Sequence, residues 1–270
     1  MRVDAHHHVW RLARGDYGWL RPTLPIHRDY DLHDLRPLLG DVEATVLVQA
    51  AATEAETSFM LETAHASGGL VRAVVGWTDF AAANAPERIA ALAGETLLRG
   101  LRPMLQDITE TAWILRPAVA RGLAAMAEAG LRLDLLIRPR HLRLLPDLAQ
   151  RHPQLAMVID HGAKPAIAEG RWEPWAADMA RAARETGAFC KLSGLATEAS
   201  PGWRPERLRR YTDHLLACFG PERLMWGSDW PVVEMGGGYK RWRDAAHALV
   251  PAAAQQAVFG DTAARFYGFG

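Results

Sequence analysis

Short apolar runs with strand-like composition recur along the chain at residues 2–8, 44–49, 71–77, 100–105, 131–137, 156–161, 188–192 and 224–227. Between them lie segments rich in Ala, Leu, Arg and Glu, at residues 54–66, 86–93, 115–129, 141–151, 173–186 and 204–219, whose composition predicts helices. Strand and helix alternate throughout, which is the pattern of a parallel sheet covered by its crossover helices. Eight strand-then-helix repeats within 270 residues match a (β/α)8 TIM barrel of α/β class, read here as one domain over residues 1–270. A doubly wound open sheet would more often carry a glycine-rich phosphate loop after its first strand, whereas here that strand ends in histidines.

Two stretches break the rhythm, residues 9–40 and 230–242. Both follow strands, so they should lie beyond strand C-terminal ends, the face on which barrel active sites form.

Composition narrows the function classes. Hydrophobic residues make up 49% and charged residues 23%, and 31 basic side chains balance 31 acidic ones. Without a basic run, nucleic acid and anionic membrane are not expected partners; Arg207, Arg209 and Arg210 read as a solvated helix face. No apolar stretch is long enough to span a bilayer and the N-terminus lacks a signal-peptide pattern, so the expected location is cytoplasmic. Cys190 and Cys218 form no CxxC pair and are read as reduced and structural.

The chemistry concentrates at strand ends. Side chains alternate faces along a strand, so His6 and His8 share one side while His7 points away. Such a pair can share one metal ion, since catalytic zinc usually takes three protein ligands and an open water position. It can equally pack inside a barrel or bind substrate without metal. His161 ends the apolar run Val158-Ile159-Asp160, and Asp229 follows Leu224-Met225-Trp226-Gly227-Ser228 just before Pro231. Asp229 could be a metal ligand, a general base or both in turn, although a lone aspartate there is more often a turn or helix-cap residue. Gln49, Arg102, Asp134 and Lys164 are polar groups on or just after strands that could meet substrate hydroxyls, and Trp77 and Trp230 could pack on a ring face. Each could instead satisfy or fill the core.

Six phrases occur in the order found in the amidohydrolase superfamily: Asp4-Ala5-His6-His7-His8-Val9-Trp10, Val48-Gln49-Ala50-Ala51, Gly100-Leu101-Arg102-Pro103, Asp134-Leu135-Leu136-Ile137-Arg138-Pro139, Asp160-His161-Gly162-Ala163-Lys164-Pro165 and Trp226-Gly227-Ser228-Asp229-Trp230-Pro231. The chain resembles that superfamily nearly end to end, and more narrowly its lactonase branch related to fuconolactone and rhamnonolactone hydrolases. The resemblance implies that His6, His8, His161 and Asp229 surround the reacting water, with Arg102 near the substrate carbonyl or hydroxyls; members of that branch bind one divalent ion or work without requiring it, and one zinc-like ion held by those four residues is the expectation here. It implies hydrolysis of a small sugar-acid lactone, with Asp229 and His161 as the catalytic pair. The fourth strand offers no lysine for carboxylation and the fifth no histidine, so a binuclear centre is not expected. A metal-dependent decarboxylase of the same superfamily and a non-catalytic metal or sugar-acid binding protein are the rival expectations.

Overall fold

The computed structural model describes residues 1–269. Eight parallel strands run in sequence order around one sheet: β1 (Val3–His7), β2 (Ala44–Val48), β3 (Val71–Gly76), β4 (Leu98–Leu101), β5 (Arg132–Leu135), β6 (Met157–Ile159), β7 (Phe189–Leu192) and β8 (Leu224–Trp226). The ends meet through a parallel bridge between His7 and Trp230, where the His8 amide donates to the Trp230 carbonyl at 2.7 Å and the Asp229 amide to the His6 carbonyl at 2.8 Å. The nearly closed (β/α)8 barrel is the predicted one, and its seam is stitched by the backbone of the predicted site residues.

Most of the expected strands overran at their C-terminal ends, the seventh excepted. Residues 100–105 were expected as a strand, but β4 covers Leu98–Leu101 and Leu105–Asp107 turns tightly after it, because Pro103 has no amide to continue a ladder. β6 stops at Ile159 rather than at His161, and β8 stops at Trp226. Between Asp4 and His7 the register of β1 against β2 shifts by one residue. That extra residue re-aims the chain where His6 sits, a common use of bulges beside active sites.

Two apolar layers hold the barrel. Leu47, Val74, Leu101, Leu133, Leu135, Ile159, Cys190, Leu192, Leu224 and Trp226 pack outward with helix residues such as Met60, Ile89, Leu123, Leu148, Met179 and Leu215. Ala44, Val46, Val48, Ala73, Val75, Val158 and Met225 form a separate cluster with Phe266, Tyr267 and Phe269. These last residues come from the C-terminal helix Thr262–Tyr267 and its end, which close the barrel. Cys190 and Cys218 are both free thiols. Among the described residues, no helix is long and apolar enough to cross a membrane.

Candidate active site

His6 and His8 converge, as alternation predicts, while the His7 ring turns away to hydrogen-bond the Thr45 hydroxyl through Nε2 at 3.0 Å. The His8 Nδ1–H donates to the Val48 carbonyl at 2.7 Å, and Nε2 lies 3.3 Å from Asp229 Oδ1. The Nε2 atoms of His6 and His161 each lie 3.8 Å from the same carboxylate oxygen. His161 Nδ1 is fixed at 2.8 Å by the Ser193 hydroxyl.

The loops that deliver His161 and Asp229 are strained. Among the described residues the non-glycine positions with positive φ are His161, Ala163, Lys164 and Asp229. Left-handed backbone costs such residues of order 1 kcal/mol each and persists only where surrounding contacts over-determine it. Here those contacts include the Trp175 indole donating to the Gly162 carbonyl at 2.8 Å and the close approach of Gly194, where a Cβ would come within 2.8 Å of His161 Cβ. Gly227 plays the same part for His6, since a Cβ there would sit 2.7 Å from His6 Cβ.

Behind the histidines lies a buried charged layer that sequence reasoning missed. Lys191 on β7 is fully buried and its ammonium donates to Asp134 Oδ2 at 2.5 Å and to His6 Nδ1 at 3.1 Å, with Asp160 Oδ1 also 3.1 Å away. Asp160 Oδ2 accepts from Arg102 at 3.0 Å, and the Tyr267 hydroxyl donates to Asp134 Oδ2 at 2.8 Å. A signal for Lys191 was present: its neighbours Cys190 and Leu192 pack outward, so alternation sends the lysine inward. Burial followed by the Lys191 charge holds the His6 imidazole well below its usual titration range. Burial also lowers His161, to about 4, against the pull of Asp229. For Asp229, burial pushes the carboxyl up, but the surrounding imidazoles, His161 foremost, outweigh it and leave the group below the usual carboxylate range. The His6 and His161 imidazoles are therefore neutral beside an ionised Asp229 at neutral pH.

A cavity of about 230 Å³ opens over this floor, lined by His8, Arg102, His161, Lys164 and Asp229 together with Trp19, Ala50, Met104, Gln106, Asp107, Leu136, Thr197, Val232 and Met235. Both irregular stretches reach it, the first through Trp19 and the second through Val232 and Met235, as their position after strand ends predicts. Of the expected substrate-contacting residues, Arg102 and Lys164 line the cavity. Gln49 is buried behind it with its Nε2 donating to the Arg102 carbonyl at 2.9 Å, and Asp134 is buried against Lys191. Trp230 packs edge-on against Tyr30, 5.2 Å between ring centroids, and the half-buried Trp77 is tied through its backbone to Thr57. Trp19, which sequence reasoning did not single out, is held by its indole donating to the Ala50 carbonyl at 2.7 Å.

His6, His161 and Asp229 each place a potential ligand atom within 4.8 Å of the others, and His8 Nε2 also points at Asp229. Neutral imidazole nitrogens around a carboxylate are the donor set that zinc-like ions take, so the residues fit one divalent ion.

Known proteins share this architecture and much of this sequence. The chain is 41% identical to an L-fucono-1,5-lactonase of Burkholderia ambifaria, over 98% of this chain and 95% of that protein. It is 38% identical to an L-fucono-1,5-lactonase of Burkholderia multivorans, over 99% and 96%. A crystal structure of an amidohydrolase from Burkholderia multivorans with bound zinc superposes with a TM-score of 0.91 at 37% identity, covering 99% of each chain. The amidohydrolase family profile matches residues 3–269, and with near-complete coverage by these relatives the chain belongs to the amidohydrolase family.

Proposed function

We propose that this protein is a lactonase that opens a sugar-acid lactone, a small-molecule substrate of the kind named for its two Burkholderia relatives, and that residues 1–270 act as one catalytic domain. The observation that carries the chemistry is the ionised Asp229 carboxylate on the floor of a small cavity that also presents the Arg102 guanidinium. In this reading Asp229 accepts a proton from a water as its oxygen forms a bond to the ring carbonyl carbon. The carbonyl oxygen gains the negative charge, and the fixed charge of Arg102 stabilises it in a water-poor site. The ring C–O bond then breaks as the carbonyl reforms, and Asp229 returns its proton to the departing alkoxide. His161 keeps the carboxylate oriented, with Ser193 fixing its ring.

His6, His161 and Asp229 would hold one divalent ion, zinc by donor type, with His8 the fourth group around it. When bound, such an ion polarises a carbonyl oxygen or lowers the pKa of water. Arg102 and Lys164 face the substrate, while Gln49 and Asp134 act from behind by fixing Arg102 and Lys191.

The test is a panel of aldonolactones assayed with and without chelator, with bound metal measured in the same preparation. Hydrolysis of sugar lactones with kcat/KM in the range of 10⁴ M⁻¹s⁻¹ or above is expected. Stoichiometric lactone binding without turnover, or carbon dioxide release from aromatic acids in its place, would overturn the proposal.

A further inference from the structure

The cavity presents two cationic side chains, and they are committed very differently. Arg102 spends its guanidinium on the protein. One amino group donates to Asp160 Oδ2 at 3.0 Å and lies 3.4 Å from His6 Nε2, the other donates to the Gln49 carbonyl and faces Gln49 Oε1, and Nε is buried without a partner. Its charge reaches the cavity, but its N–H bonds are taken. Lys164 is the reverse case. It stands in left-handed backbone at φ +53°, which its amide secures by donating to the His161 carbonyl at 2.9 Å, and its half-buried side chain lines the cavity. Among the described residues its ammonium has neither a hydrogen-bond nor an ion-pair partner, so three N–H bonds are unspent. Asp229 and Glu198 act on it only through space, against Arg102 and Arg138, and Asp107 on the cavity wall is exposed. Arg102 and Lys191 each contact a carboxylate, Asp160 and Asp134 respectively.

We infer that Lys164 binds the carboxylate of the opened product, and that aldonate anions therefore occupy the cavity and inhibit the enzyme; this rests on the lactonase reading. Hydrolysis makes the anion that such a group takes. The lactone is neutral, and collapse of the tetrahedral intermediate gives a carboxylic acid and a hydroxyl, the proton held by Asp229 going to the alkoxide. The acid, with an ordinary pKa of about 4, releases its remaining proton to solvent. One more negative charge then stands in a cavity floored by the ionised Asp229, and the two repel. Lys164 is the cation with donors left to answer it, and a charge-assisted hydrogen bond to a carboxylate is stronger than one to a sugar hydroxyl.

Calorimetric titration of the full chain compares L-fuconate, the open acid of the sugar named for the two Burkholderia relatives, with L-fuconamide, the same carbon chain ending in a neutral group. The acid should bind the wild-type chain tighter by about tenfold or more. That preference should fall close to one in Lys164→Met and persist in Lys164→Arg. Absence of the preference in the wild-type chain, whether both probes bind equally or neither binds, overturns the inference. So does a Lys164→Met variant that keeps it, since the carboxylate then sits on another group. A second measurement needs no variant: brief acetylation with acetic anhydride, read by peptide mass spectrometry, should modify Lys164 at least about threefold more slowly with L-fuconate than with L-fuconamide at the same concentration. Equal rates overturn the inference even if Lys164→Met fails to fold. Neither readout involves turnover. Lactone hydrolysis without the acid preference removes the role of Lys164 alone, whereas the preference without hydrolysis of any lactone removes the lactonase reading.

Discussion

Glu56 offers a sharp test of how the cavity wall is built. Its side chain is buried and Oε1 accepts the Ala50 amide at 2.8 Å, while Oε2 has no hydrogen-bond partner. The Ala50 carbonyl in turn receives the Trp19 indole, so one carboxyl braces the segment that carries two cavity residues. Burial, reinforced by nearby Asp16 and opposed by the Ala50 and Ala51 amides and Arg14, raises the carboxyl from 4.5 to about 8. The folded protein therefore keeps a proton that the unfolded chain has already released. Stability from this group is full below pH 4.5 and drains away as pH rises through about 8. Between pH 5.5 and 8 the loss is roughly 2.5 units at 1.36 kcal/mol each, or about 3 kcal/mol.

Glu56→Gln keeps an oxygen for the Ala50 amide and cannot ionise. Its melting temperature, measured beside wild type, should gain on the wild type by about 6 to 12 °C between pH 5.5 and 8, since 1 kcal/mol moves Tm by about 2 to 4 °C in a chain of this size. The comparison cancels every other titrating group, including the buried Asp4 and Asp134. Parallel melting curves at all pH values would refute the reasoning, because they would mean that Glu56 carries its charge in the folded state at no cost.

Asp229→Asn should lower kcat by at least about a hundredfold while far-UV circular dichroism and melting stay near wild type, and turnover within tenfold of wild type would remove Asp229 as the base. Gly194→Ala forces a side chain into left-handed backbone at φ +67° and against His161. It should cost about 1 to 3 kcal/mol in urea unfolding and reduce kcat/KM, and unaltered melts and kinetics would show that the Gly194 contact does not set the His161 loop. Trp19→Ala should raise KM about tenfold with kcat within twofold, the mark of lost uniform binding, and an unchanged KM would take Trp19 out of the substrate contact.

The barrel itself was legible because a parallel sheet covered on both faces needs near-continuous apolar strands, and those runs stand out between helical segments. The strand ends were not. Residues 156–161 read as one strand, yet the chain leaves the sheet after Ile159 and turns left-handed from His161 to Lys164. Only Gly162 in that stretch advertises such a conformation. The others are held there by Ser193, Trp175 and Gly194, partners from other parts of the chain that no local pattern names.

The four central residues were recoverable by type and place, but their hydrogen-bond roles were not, and Lys191 shows why. In an isolated strand a lysine between Cys190 and Leu192 reads as a solvated residue, because local sequence does not say whether the opposite face meets water. In a closed barrel that face has none, so the ammonium must find anions, and Asp134 on β5 and Asp160 after β6 supply them. Arg102 imposes the same demand from the end of β4 and also takes Asp160. With both carboxylates committed to cations, the donor left over from Lys191 turns to His6. The His6 ring is thus held by Lys191 of β7 and Asp160 after β6, while that of His8 is held by the Val48 carbonyl beside it. Spacing puts two imidazoles on one face; the partners that hold each of them are a property of the closed barrel.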